Sequence, residues 1–156
     1  MRVVLDSNAV IAHGRAFPER VQTAFERGET LVLPWSVKRE LVDDVLAKDD
    51  VPRNHRESAR TIQTLIDEGY LRVRKPDYER YGDVIDEARR RIADESLPEH
   101  AVKADQYIPA LVCGLAEDDS VMLVTADRKL GDTVREIAQR RDLADDISIR
   151  EPRSVL

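Results

Sequence analysis

The sequence predicts an α/β fold in which helices cover both faces of a central parallel sheet. Three observations predict it. Short apolar runs such as Val3–Leu5, Thr30–Leu33 and Val121–Val124 alternate along the chain with segments of helical spacing. The runs are rich in β-branched and aliphatic residues and continuously apolar, as strands buried on both faces are. Two of them lead into an aspartate, Asp6 and Asp127, where open α/β sheets gather their ligands.

Val3–Leu5 is the first expected strand, followed by a helix that Ala9, Val10 and Ile11 begin. Pro18 then opens a helix with Val21, Ala24 and Phe25 on one side, and Gly28 suits its end. Thr30–Leu33 is the second strand, and Pro34 and Ser36 precede a helix carrying Val37, Leu41, Val45 and Leu46. Lys48–His55 is polar, contains a proline and reads as a loop before a helix over Ser58–Glu68, which Gly69 ends. Leu71–Val73 is a short strand. Tyr78–Ala93 is a charged helix with a thin apolar side (Tyr81, Val84, Ile85, Ala88, Ile92), suited to covering a groove or a partner. Ala104, Ile108, Leu111 and Leu115 mark a late helix, Val121–Val124 a strand, Val134–Ala138 a helix and Ile147–Ile149 a last strand.

At 156 residues and 42% hydrophobic content, the chain suffices for one domain with a sizeable core, expected to span 1–156. It has neither the roughly 18 consecutive apolar residues of a membrane helix nor a basic leader with an apolar core, so a cytoplasmic protein with no membrane partner is expected. Cys113 is the single cysteine and sits among Leu111, Val112 and Leu115, which reads as a small buried hydrophobe and excludes an internal disulfide. With 31 acidic and 25 basic residues the formal charge is −6, which opposes indiscriminate binding to nucleic acid and fits a high-salt cytoplasm. Contacts to phosphates must therefore be local. The basic clusters Arg89–Arg91, Arg72/Arg74/Lys75 and Arg128/Lys129 read first as solvated faces.

Four acids depart from an ordinary surface pattern. Asp6 either caps the helix after the first strand or belongs to a site at the strand end. Glu40 lies beside the apolar face marked by Val37 and Leu41, where an ionised acid is paired, hydrogen-bonded or bound to a metal, unless it reaches water at the rim or pairs with Lys38, Lys48 or a distant Arg. Asp105 precedes the late helix, either as its N-cap or projecting toward the sheet edge, and Pro109 places that helix's first turn nearby. Asp127 follows Thr125 and Ala126 and repeats the arrangement of Asp6. If the four converge, their repulsion calls for a cation, and an all-oxygen set suits Mg²⁺ or Mn²⁺ and metal-assisted phosphoryl hydrolysis. His13, His55 and His100 lack metal-ligand spacing and read as surface or loop residues; no GxGxxG, Walker A or GxSxG sequence is present.

The ordered set LDSNAVI, VKREL, KADQYIPALV and VTADRKL resembles the PIN-domain family, which includes VapC-like toxins and other metal-dependent ribonucleases. The resemblance spans nearly the whole chain. It implies a three-layer α/β/α sandwich whose central parallel sheet has four or five strands. It further implies a Mg²⁺ or Mn²⁺ site in which Asp6, Asp105 and Asp127 hold one or two ions and Glu40 completes the site or orients water. Ser7, Asn8 and Thr125 match the family's small polar companions, and Lys103, Arg128 and Lys129 are candidates to guide RNA. Ala126 stands where the family often has Asn, and Pro109 is less usual in the late helix. The implied activity is RNA phosphodiester hydrolysis leaving a 5′-phosphate and a 3′-hydroxyl, with RNA, an antitoxin and a second copy of the chain as partners. Two other readings stay open: a catalytically weak PIN-like RNA-binding or regulatory protein, and a haloacid-dehalogenase-type phosphatase, whose DxD sequence would need an acid where Asn8 stands.

Overall fold

The β-branched runs become the strands, because their side chains fill both faces of a sheet that helices flank. The computed structural model describes residues 1–92 and 104–155. Strands β1 (Arg2–Leu5), β2 (Thr30–Pro34), β3 (Arg72–Arg74), β4 (Val121–Val124) and β5 (Ile147–Arg150) form one parallel sheet in the order β3-β2-β1-β4-β5. Its centre is buried: Val3, Val4 and Leu5, with Leu31, Val32, Leu33, Leu123 and Val124, lie in the main core. The predicted α/β/α sandwich is present, with five strands.

The strand order creates the crevice. The chain builds outward from β1 through β2 to β3, then returns to place β4 on the other side of β1. Connections leave β1 and β4 in opposite directions, and a space opens between them beyond their carboxyl ends. Leu5 is in register with Val124, so Asp6 and Thr125 leave the sheet side by side.

The helices are α1 (Ser7–Ile11), α2 (Phe17–Glu26), α3 (Trp35–Lys38), α4 (Asp44–Ala47), α5 (Arg53–Asp67), α6 (Gly82–Ile92), α7 (Ile108–Ala116), α8 (Arg128–Arg140) and α9 (Pro152–Val155). Gly28 and Gly69 adopt positive φ just beyond α2 and α5, as glycines past helix ends do. A smaller core of Tyr81, Val84, Ile85, Ala110, Cys113 and Ile137 joins α6, α7 and α8, so Cys113 is the buried hydrophobe its neighbours predict. No helix of the described residues is long and apolar enough to cross a membrane.

Several boundaries differ from the sequence reading. The stretch read as a loop to His55 is already helical from Arg53, because Pro52 supplies an extended turn and the first turns of α5 are polar by facing solvent, with Arg53 paired to Glu57 one turn on. The helix expected from Tyr78 begins at Gly82, after a turn in which Asp77 accepts the Arg80 N–H, and Ala93 lies outside the described residues. Between α3 and α4 the chain forms one wide π-turn over Arg39–Asp43, an irregularity that hydrophobic spacing does not reveal. His13 is half-buried and its Nε2 is enclosed, whereas His55 is exposed as expected and His100 lies outside the described residues.

Candidate metal centre

Asp6 is only 1% exposed although it carries a carboxylate. Its Oδ1 accepts the Ala9 N–H at 2.8 Å, capping α1, and its Oδ2 accepts the Thr125 hydroxyl across the β1–β4 seam. Asp6 thus caps α1 with one oxygen and reaches across the strand ends with the other. Burial raises its pKa, the bonds from Thr125 and Ala9 oppose that, and the charge of Asp127 adds to it.

Asp127 is the N-cap of α8, its Oδ1 accepting N–H bonds from Lys129 at 2.9 Å and Leu130 at 3.2 Å. Thr125 connects the two strand ends, since its hydroxyl donates to Asp6 and its oxygen accepts the Asp127 N–H at 3.0 Å. Glu40 arrives from the other side on the π-turn after β2, and Ser7 donates to its Oε2 at 3.1 Å. Neither lysine expected as its partner takes that place; Lys38 pairs with Asp43, and Arg56 binds the carbonyl of Lys48.

Asp105 corrects the capping alternative. It sits in a helical turn with Ala104, and Tyr107 is the N-cap of α7, with Pro109 in the first turn. The chain breaks at Gln106–Tyr107 because proline at that point has no N–H to carry a helix through. Among the described residues no group donates a hydrogen bond to Asp105. Its pKa is pushed up to about 7, first by burial and then by the charges of Asp6, Asp127 and Glu40.

The four acids are thus close enough to feel one another, and among the described residues none is ion-paired with Lys or Arg. Yet no three His, Cys, Asp or Glu side chains of the described residues stand close enough to hold one ion as they are placed. The donor set fits a hard divalent cation in its chemistry: all oxygen, mutually repelling, and without a compensating charge. Closing it around an ion requires side-chain adjustment, which Asp105, with no described hydrogen-bond donor to hold it, is best able to make.

The remaining candidates divide. Ser7 and Thr125 bond to site carboxylates, whereas the side chain of Asn8 is exposed and takes part in none of these bonds. Arg128 and Lys129 are exposed on the first turn of α8, beside Asp127. Lys103 lies outside the described residues. Sequence reasoning assigned Ser36 to the start of a helix; in fact its buried hydroxyl donates to the Ala104 carbonyl at 2.9 Å and ties the β2 end to the segment of Asp105.

A five-stranded parallel sheet in this order, flanked by helices, is the PIN-type α/β/α fold. The chain belongs to the halobacterial PIN domain family, whose model matches residues 1–156. Among solved structures it is similar to VapBC-1 from nontypeable Haemophilus influenzae, with 15% identity, a TM-score of 0.55 and coverage of 98% of this chain and 99% of that one. It is also similar to VapBC2 from Rickettsia felis bound to a DNA fragment from their promoter, with 13% identity, a TM-score of 0.51 and coverage of 97% and 98%. At such identities the likeness speaks for the fold alone. A search of curated proteins finds no match. With the family established, the phosphatase reading is dropped.

Proposed function

We propose that this chain is a Mg²⁺- or Mn²⁺-dependent endoribonuclease, with residues 1–156 forming one PIN-like domain. The observation that carries the reading is the placement of Asp6, Glu40, Asp105 and Asp127 around the crevice between β1 and β4, with no cation among the described residues to offset them. Asp6, Asp105 and Asp127 are the residues to hold the ion, and Glu40 completes the set. When bound, the metal supplies Lewis acidity at the scissile phosphate and lowers the pKa of a water.

The protein's own groups set the positions. Thr125 and the Ala9 N–H fix both oxygens of Asp6, so this ligand is held before any substrate arrives. Ser7 holds Glu40 through Oε2 and leaves Oε1 to accept a proton from the attacking water. Backbone N–H groups of α8 hold Asp127 by one oxygen, leaving the other for the crevice. Arg128 and Lys129 flank the crevice to guide the phosphate backbone. The products are a 5′-phosphate and a 3′-hydroxyl. The chain further acts in the cytoplasm, as a homodimer and under the control of an antitoxin; of these, the VapBC neighbours support the antitoxin alone.

Substituting Asp6→Asn and Asp127→Asn, each assayed on single-stranded RNA with Mn²⁺, is expected to slow cleavage by about a hundredfold or more, the scale on which losing one preorganised electrostatic group acts. Unchanged cleavage by both variants would contradict the assignment. One observation favours a catalytically weak RNA-binding or regulatory protein instead: the acids as placed are too far apart to close on one ion. That reading expects no cleavage by the parent protein either.

A further inference from the structure

Trp35 is the single tryptophan of the chain, and it stands at the C-terminal edge of the sheet as the first residue of α3, half-buried. Two cations lie on its ring: the Lys75 ammonium 4.8 Å from the centroid and the Arg39 guanidinium at 5.5 Å. Both are exposed, and neither forms an ion pair among the described residues. Their charge is left to the ring and to solvent, whereas Arg27, Arg53, Arg80, Arg91, Arg140 and Arg141 pair with carboxylates.

The position is set by the same contacts that build the crevice. Arg39 precedes Glu40, and Ser36, next to Trp35, holds the carbonyl of Ala104 beside Asp105. Lys75 follows β3, and three residues on Tyr78 stands edge-on to Tyr107, two residues after Asp105, with ring centroids 5.8 Å apart. The loop after β3 thus runs from Trp35 to the Asp105 segment along the edge where the acids gather. A half-buried indole with two exposed cations on its ring matches what unpaired bases require: a flat apolar face for stacking and positive charge for the adjoining phosphates.

We propose that Trp35, Arg39 and Lys75 form a base-stacking subsite beside the acid crevice, in which an unpaired base takes the place of a cation on the indole and the released cation turns to a phosphate. The subsite rests on the ribonuclease reading and assigns it a positioning element outside the acids. A cation on an aromatic ring that water reaches contributes less than the stacking of a base, so the exchange runs in favour of the nucleotide.

The sole tryptophan makes the test direct. Oligoadenylate carrying a terminal fluorophore is titrated into the whole protein in EDTA, reading anisotropy for binding and indole emission for stacking; KM and kcat for cleavage are measured separately with Mn²⁺. Binding is expected to quench the indole, and Trp35→Ala to weaken it by about tenfold, within the range for loss of one stacked base, while Trp35→Phe restores most of the affinity. In cleavage, Trp35→Ala is expected to raise KM with kcat little changed. Arg39→Gln and Lys75→Gln, both at exposed positions, are each expected to lower the salt slope of binding by about one phosphate contact. Binding without quenching, or cleavage with KM unchanged in Trp35→Ala and in both glutamine variants, would overturn the subsite and leave the nuclease standing. An oligoadenylate that neither binds nor is cleaved would overturn both.

Discussion

Two acid-rich regions of this molecule are built from the same residue types and arranged in opposite ways. On the α6–α8 face Asp83 and Glu87 meet arginines at once: Arg141 lies 3.0 Å from Asp83, while Arg140 and Arg91 converge on Glu87 and Arg91 also reaches Glu136. Arg140's hydrogen bond, ahead of the nearby charges, holds the Glu87 carboxyl below its usual range. At the crevice between β1 and β4 the acids meet hydroxyls, backbone N–H groups and one another, and the pKa values of Asp6 and Asp105 rise. Paired acids on an exposed face stabilise a fold modestly, whereas buried acids left facing each other oppose it. The contrast marks the crevice as a place where stability is given up, as happens at sites made for a ligand.

The contrast can be broken from the crevice side first. Asp105→Asn removes a half-buried charge to which no described residue donates a hydrogen bond, so in EDTA the variant is expected to be more stable than the parent at pH 8, by about 1 kcal/mol or roughly 2–4 °C for a domain of this size. With saturating Mn²⁺ the order is expected to reverse, because the parent gains a bound ion that the variant lacks. The pH dependence has a definite sign. The Asp105 carboxyl titrates at about 7 when folded and near the ordinary carboxylate value when unfolded, so the folded protein takes up the additional proton between these values. Metal-free parent protein is therefore expected to gain stability as pH falls from above 7 toward 4, and Asp105→Asn to lose that gain. Thermal melts across this range check both points; a parent that only loses stability over the same interval would contradict them. Asp6 is a poorer probe, because Asn there also disturbs the cap of α1 and the bond from Thr125.

A smaller effect is expected on the other face. Glu87→Gln removes the shared partner of Arg91 and Arg140, both on the surface, and is expected to cost less than about 1 kcal/mol and progressively less as salt is raised. The sign with pH is the reverse of Asp105: a lowered carboxyl stabilises at neutral pH and loses that contribution as pH falls through its folded value. A salt-independent loss of several kcal/mol in melts of Glu87→Gln would show that this face is not the ordinary paired surface described above.

Much of this was legible in the residues. Continuously apolar runs become strands because only a sheet covered on both faces can bury them, and two such runs ending on Asp6 and Asp127 sufficed to point to one sheet edge. What spacing could not reveal was the local backbone around the other two acids. The π-turn that carries Glu40 leaves no mark on hydrophobic periodicity, and the residues alone left Asp105 open between a helix cap and a site, a choice that the start of the late helix at Ile108, with Tyr107 as its N-cap, decides against the cap. Contacts distant in sequence were hidden for the same reason: the hydroxyls of Ser7, Ser36 and Thr125 could have capped helices locally, and each instead bridges elements that the sheet order brings together. Lys75 on Trp35 likewise depends on β3 lying beside β2, which no local pattern states.

The β1–β4 crevice is expected to close around a divalent cation. Calorimetric titration of Mn²⁺ into the whole protein, beside the Asp6→Asn/Asp127→Asn double variant, tests it most directly. Saturable binding by the parent, lost in the double variant while its far-ultraviolet circular dichroism stays unchanged, is the expected result. No Mn²⁺ binding by the folded parent, or equal binding by the two proteins, would contradict it.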